Sequence, residues 1–258
     1  MKITKIEKKK RLYLLEIDQK ESLYVTEDTI VKYMLTKGMT IDKNQLEDIK
    51  IFAQFSHGKN LALYYISFKQ RTEKEVKDYL FKHDINPHII PKIITNLKKD
   101  HWIDDYKLLE SLAQQNLNSG DKGAYVLKQK WRQKGCDKQV IDDILIQFDF
   151  SEVAMKVAAK LLRKYQGKLP EKALKDKLTQ SLINKGFSFQ ESKLAINQLE
   201  LDPDEETEQA LLYKEIDKQY NKFSKKYNGY ELKQRLTQSL AHKGYDFDAI
   251  ASALREYL

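Results

Sequence analysis

The residues best placed to do chemistry are cations at helical spacing. Lys156, Lys160, Lys164 and Lys168 recur every fourth residue, with Arg163 on the adjoining row. Lys214, Lys218, Lys222 and Lys226 repeat that pattern 58 residues later. Side chains four apart share one helix face, so each set reads as a stripe of positive charge. Like charges so spaced cost about 0.2–0.5 kcal/mol per pair, a cost that an anionic partner reverses. Glu215 and Asp217 dilute the second stripe, while little opposes the first. Lys69, Arg71, Lys98 and Lys99 form a second basic group, with Tyr64 and Tyr65 close in sequence. That mixture suits single-stranded nucleic acid. The chemistry on offer is non-covalent capture of phosphate or of a carboxylate-rich protein surface. The stripes also read as ordinary solvated helix faces, and the tyrosines as amphipathic core fillers.

Covalent and metal chemistry have little to work with. His57, His83, His88, His101 and His242 are scattered, and none belongs to a His-Glu-x-x-His or Cys/His cluster, so no metal site and no cofactor are expected. There is no Gly-rich phosphate loop and no Gly-x-Ser-x-Gly elbow. Asp104-Asp105 and Asp142-Asp143 are adjacent pairs whose members diverge on a helix, which leaves them to capping and solvation. The single cysteine, Cys136, has no internal disulfide partner, fits a reducing cytoplasm and reads as a bystander. A non-enzymatic, cytoplasmic protein is expected.

The elements that must position the cations are announced by a phrase the chain uses twice. Leu178-Thr179-Gln180-Ser181-Leu182, then Lys185-Gly186-Phe187, returns as Leu236-Thr237-Gln238-Ser239-Leu240, then Lys243-Gly244-Tyr245. A weaker copy lies 51 residues upstream at Leu127, Trp131, Lys134 and Gly135, and a fainter one a further 51 residues back at Val76, Leu80, Asp84 and Ile85. Self-similarity at this period marks stacked supersecondary units. Leu174-Leu178-Leu182 and Leu232-Leu236-Leu240 are apolar stripes at one-turn spacing, and the Lys-Gly pair ends each helix. The aromatic after each glycine is expected to plug between the second and third helices.

Each unit reads as three helices. In the first, 62–68 is helix one, Thr72 with Glu75 opens helix two as a capping box, and Asn86-Pro87 opens helix three. Pro91 then requires either a later helix start or a kink. The second unit runs from Asp104 through 123–134 and 137–148. The third begins at Ser151 and resumes at Pro170-Glu171; the fourth begins at Asp202-Pro203-Asp204-Glu205-Glu206, a linker that also suits a helix start. Ahead of the repeats, 3–7, 12–17 and 23–25 read as short strands. Lys8-Lys9-Lys10-Arg11 serves as a turn between them. A helix from Thr26 to a stop at Gly38 follows, then one from Asp42 to about His57. The expected class is mainly α: tandem three-helix repeats in an elongated array after a small β-rich segment. The partition is 1–45 for that segment, then repeats at 46–100, 101–150, 151–200 and 201–258.

Bulk properties agree. The 258 residues carry a net charge of +8, and 33% are charged. Residues 151–200 hold ten basic side chains against five acidic ones, whereas 101–150 and 201–258 are slightly acidic. No apolar run approaches the length of a membrane span, and the Lys-rich N-terminus has no signal-peptide core. No membrane association is expected, and a monomer is.

With the repeats laid out, Ala62-Leu63-Tyr64-Tyr65-Ile66-Ser67, Arg71-Thr72-Glu73-Lys74-Glu75-Val76, Trp102-Ile103-Asp104-Asp105-Tyr106 and the Gly123, Leu127, Lys134-Gly135 series resemble the RecX family. The resemblance covers about 58–200 and extends to 258 as an additional repeat. Trp131 and Cys136 stand where the family favours aliphatics, and Gln70 interrupts its basic run. The resemblance implies tandem three-helix repeats. It also implies a regulator that binds in the groove of the RecA–single-stranded-DNA filament and limits its growth, ATP hydrolysis and strand exchange. Some family members bind DNA directly. On that footing Lys69, Arg71, Lys98, Lys99, Lys156, Lys160, Arg163, Lys164 and Lys168 are the candidate contacts to RecA or DNA. Two other readings stay open: a nucleic-acid binder acting alone, since helix two, Lys-Gly and helix three resemble a helix-turn-helix, and a helical adaptor for another protein.

Overall fold

A computed structural model describes residues 1–201 and 205–258. The linker and helix start expected at Asp202-Pro203-Asp204 fall outside those described residues. Strands β1 (Ile3–Lys9), β2 (Leu12–Ile17) and β3 (Glu21–Val25) form an antiparallel meander in that order. Ile3, Leu15, Ile17 and Val25 are fully buried on its inner face. Thr26 then caps α1 (Glu27–Tyr33) by accepting the Thr29 amide.

Two stops fall elsewhere than the sequence suggests. Helix α1 ends at Met34, which takes a left-handed conformation, rather than at Gly38. Gly38 turns the chain instead, and its N–H donates to the Ile3 carbonyl at 2.8 Å. The expected break at Gly58 does not occur, because α2 (Lys43–Ser67) runs unbroken through it. Gly58 is buried, and a Cβ there would lie 2.5 Å from the Ile93 side chain, so this glycine allows close helix approach and stops nothing. One half of α2 buries Leu46, Ile49 and Ala53 against the sheet; the other buries Ala62 and Ile66 in the first repeat.

That repeat continues with α3 (Glu73–Lys82), which opens on the Thr72–Glu75 capping box with both reciprocal bonds formed. Helix α4 (Ile90–Lys99) starts late enough to put Pro91 in its first turn, where no kink is needed. Ile90, Ile93, Ile94 and Leu97 bury its apolar face, each side chain contributing about 2 kcal/mol on removal from water.

Helices α5 (Asp105–Ser119), α6 (Ala124–Gln133) and α7 (Lys138–Leu145) follow. Then come α8 (Ser151–Tyr165), α9 (Glu171–Asn184) and α10 (Phe189–Asn197). The described residues end with α11 (Glu205–Phe223), α12 (Gly229–His242) and α13 (Phe247–Tyr257). The leucine stripes of α9 and α12 are buried as their spacing predicts. Phe187 is buried beside its glycine, while Tyr245 is half-buried with its hydroxyl donating to the Leu211 carbonyl. The fold is the mainly α chain of three-helix repeats behind a small sheet that the sequence predicts. The chain forms two compact units, 1–112 with 130–144 and 113–129 with 145–258.

Candidate functional site

Helix α8 turns Val153, Ala154, Val157, Ala158 and Leu162 into its repeat, which leaves Lys156, Lys160, Arg163 and Lys164 on the exposed face. Lys156 lies 3.7 Å from Glu152, both well exposed, so this pair is weak. Among the described residues Lys160 and Arg163 make no ion pair, and the Lys164 amine sits 5.1 Å from the Tyr165 ring centre. The helix ends at Tyr165, so Lys168 lies past it, in the turn with the left-handed Gly167. Its Nζ donates to the Lys164 carbonyl at 2.8 Å, a cation at the negative end of the helix dipole. Three lysines therefore line the helix and the fourth closes it. Helix α11 repeats the arrangement: Lys214, Lys218 and Lys222 are exposed on the helix and Lys226 lies beyond Phe223.

The first-repeat group does not act as one cluster. Lys98 and Lys77 both bind Glu73, at 2.8 and 2.5 Å, and hold its carboxyl below the usual range. The Arg71 guanidinium lies 4.3 Å over Tyr65, which stacks in parallel on Tyr79, which in turn meets His83. Its Nε is buried without a hydrogen-bond partner. Lys69 and Lys99 are exposed and make no ion pair among the described residues. Tyr64 is half exposed, and the Arg11 guanidinium lies 5.3 Å over its ring. That contact brings the basic β1–β2 turn to the end of α2. The signal available was the four-residue basic run itself, which reads as a turn and nothing more.

Sequence reading also missed a second use of the Lys-Gly pair. It ends a helix, as predicted, and it docks on the start of helix two of the preceding repeat. At α3, the Thr72 hydroxyl donates to the Lys134 carbonyl at 3.0 Å, and a Cβ on Gly135 would strike the Lys74 side chain. At α6, the Gly123 amide donates to the Lys185 carbonyl at 2.9 Å and the Tyr125 amide to the Gly186 carbonyl at 3.1 Å. Lys185 also pairs with Asp121 and holds that carboxyl below its usual range. At α9, Gly244 rests against Ala173. Helix two is capped from the following repeat as well, Asp105 accepting the Glu73 amide and Glu208 the Glu171 amide. Asp105 is half-buried, and loss of solvent raises its carboxyl above the usual value.

Burial shifts two further titratable groups. Burial pushes the Cys136 thiol up to about 11, with Asp105 adding to the effect, so little thiolate forms near neutrality. His57 is lowered by burial and by the neighbouring His83. Among the described residues no group of three or more His, Cys, Asp or Glu could hold a metal. No described helix is long and apolar enough to cross a membrane.

The molecule is thus a tandem three-helix-repeat protein. The chain belongs to the RecX family. Residues 149–196 and 206–254 each match the family described as "RecX, third three-helix domain", and residues 59–97 match "RecX, first three-helix domain". The last repeat is therefore a second copy of the third, as the repeated phrase indicates. The chain is 86% identical to regulatory protein RecX of Streptococcus thermophilus and 65% identical to that of Streptococcus sanguinis, over 100% of each chain. A crystal structure of regulatory protein RecX matches 76% of this chain and 99% of its own, at 32% identity and a TM-score of 0.62. RecX from Lactobacillus salivarius matches 58% and 98%, at 34% identity and a TM-score of 0.54.

Proposed function

We propose that this protein is a non-enzymatic, cytoplasmic regulator of RecA that binds the RecA–single-stranded-DNA filament as a monomer and limits its extension, ATP hydrolysis and strand exchange. The observation that carries the reading is the exposed cationic face of α8, repeated on α11, where most charges have no acidic partner among the described residues. A helical filament offers repeating phosphate and acidic side chains to repeating cations. Family membership and the regulatory name of the relatives supply the choice of target. Lys156, Lys160, Arg163 and Lys164 are assigned to that contact, with Lys69, Arg71 and Lys99 as a second group. Lys98 contributes less because Glu73 already holds it.

The helix-turn-helix alternative is disfavoured at the third helices. Asp137 and Asp246 occupy the starts of α7 and α13 and accept their first amides, so carboxylates sit where a reading head would meet phosphate. The adaptor reading predicts no salt-dependent filament binding. The test replaces Lys156, Lys160 and Lys164 together by Ala and compares affinity for the filament with affinity for DNA alone. The filament affinity is expected to fall at least tenfold and the salt slope to flatten by about 2, at roughly 0.7 per lost phosphate contact. Wild-type affinity and slope in the variant sink the assignment, and equal affinity for bare DNA and filament favours the stand-alone binder.

A further inference from the structure

The β1–β2 hairpin and the end of α2 jointly build a surface that the ladders do not include. The hairpin turns in two residues, Lys10 and Arg11, between Lys9 and Leu12. Lys10 adopts φ 49 there, a conformation that glycine, asparagine and aspartate take far more readily than lysine. A strained position held by a long cation points to a use for the side chain. Lys8, Lys9, Lys10 and Arg11 are all exposed. Lys9 is drawn to Glu7, but Lys8, Lys10 and Arg11 have no acidic partner among the described residues. Lys69, exposed and without an ion pair among the described residues, lies five residues after Tyr64, just past the end of α2.

Aromatic faces lie within this charge. Arg11 covers Tyr64 at 5.3 Å, and Phe68 meets Tyr64 edge-on at 4.8 Å while remaining 69% exposed. Phe68 is open just past a helix end, with Lys69 next to it in sequence and Arg11 over its neighbour Tyr64, and burial explains little of its presence there. It offers a flat apolar platform, and cations beside such a platform recognise an anionic backbone whose bases are free to stack. A duplex satisfies only the charges, because its bases are already stacked.

We infer that the tip of the β1–β2 hairpin and the C-terminal end of α2 form a single-stranded nucleic-acid site, with Phe68 stacking on a base and Lys8, Lys10, Arg11 and Lys69 on the phosphates. It rests on the proposed function only for the choice of DNA as the strand. The position of this site on the N-terminal unit makes it separable from the α8 ladder by mutation.

The test uses the full chain and fluorescein-labelled thirty-nucleotide oligo-dT, without RecA, read by anisotropy across a salt series. The Lys8→Ala, Lys10→Ala, Arg11→Ala variant is expected to bind at least tenfold more weakly, with a slope lower by about 2. Phe68→Ala is expected to lose at least fivefold on oligo-dT and less than twofold on a duplex of equal length. Thermal melting checks each fold, and the single Lys8→Ala and Lys10→Ala variants carry the test if the triple variant misfolds. Wild-type binding by the hairpin variants overturns the assignment, as does an equal loss on both DNAs from Phe68→Ala. A wild-type chain that ignores oligo-dT, while the hairpin variant loses affinity for the RecA filament, also overturns it, because the surface is then a protein contact. RecA regulation is scored separately with filaments present, so failure of either reading leaves the other readable.

Discussion

The turn at Lys185-Gly186 and the turn at Lys243-Gly244 come from the same repeated phrase, yet they dock with different stringency. The first is locked to α6 by two backbone hydrogen bonds and the Lys185–Asp121 pair. A Cβ on Gly186 would lie 2.5 Å from the Val126 amide nitrogen, and one on Gly123 would lie 2.3 Å from the Gly186 carbonyl. The second turn meets α9 more loosely. A Cβ on Gly244 would reach 3.0 Å from the Ala173 nitrogen, and Lys243 binds Glu215 within its own repeat. A cleft of about 740 Å³ opens beside it, lined by Lys172, Lys175, Gln209, Tyr245 and Phe247 among others. Identical letters therefore encode the same local turn but not the same interface. Interface strength depends on the partner: Gly123, ahead of α6, donates its amide to Lys185, whereas Pro170, ahead of α9, has no amide proton to give.

The largest effect expected from this contrast comes from the glycines. Gly186→Ala must accept both a left-handed backbone, costing about 1–2 kcal/mol, and a collision with backbone atoms, costing about 1–3 kcal/mol more. Gly244→Ala shares the backbone cost, since its φ is 91, but meets only a tight contact. Urea denaturation should show Gly186→Ala to be the more destabilising by at least about 1 kcal/mol. Equal losses would mean that the two junctions are equally tight.

A subtler difference should appear in native-state hydrogen exchange. The last repeat has its own core of Leu212, Ile216, Leu232, Leu236, Leu240 and Ile250. Loosely docked, it should open by itself, so amides of Leu236 and Leu240 exchange at lower free energy than those of Leu178 and Leu182. Matching protection in α9 and α12 would break the comparison.

The smallest effect concerns the lysines. Lys185→Ala removes a half-exposed pair across a junction and should cost about 0.5 kcal/mol at neutral pH. Lys185 depresses the Asp121 carboxyl in the folded state, so that contribution is complete above the ordinary Asp range and lost as pH falls through the lowered value. The gap between Lys185→Ala and the unaltered chain should therefore close in acid. Lys243→Ala breaks a pair inside one repeat and should leave hydrogen exchange at the Gly244 junction unchanged.

The repeats were legible because stacking repeats its requirements. The Leu-x-x-x-Leu stripes, the Thr72–Glu75 box and the strand Leu12–Ile17 are local signals that form as expected, while the first strand, expected over 3–7, runs on through Lys8 and Lys9 of the expected turn. Gly58 misled because a glycine that ends a helix and one that admits Ile93 look alike in one dimension. The cationic face of α8 was legible from spacing alone, whereas Lys168 was not, since the helix stops at Tyr165. Arg11 over Tyr64 and the stack of Arg71, Tyr65 and Tyr79 depend on residues brought together by the fold, and no spacing rule announces them.

The most direct test of the regulatory reading is RecA's single-strand-dependent ATP hydrolysis, titrated with this protein at verified filament assembly. Inhibition at well below one copy per RecA protomer, weakened at least tenfold by replacing Lys156, Lys160 and Lys164 with Ala, is the predicted result. Unchanged hydrolysis at stoichiometric amounts of folded protein would contradict it.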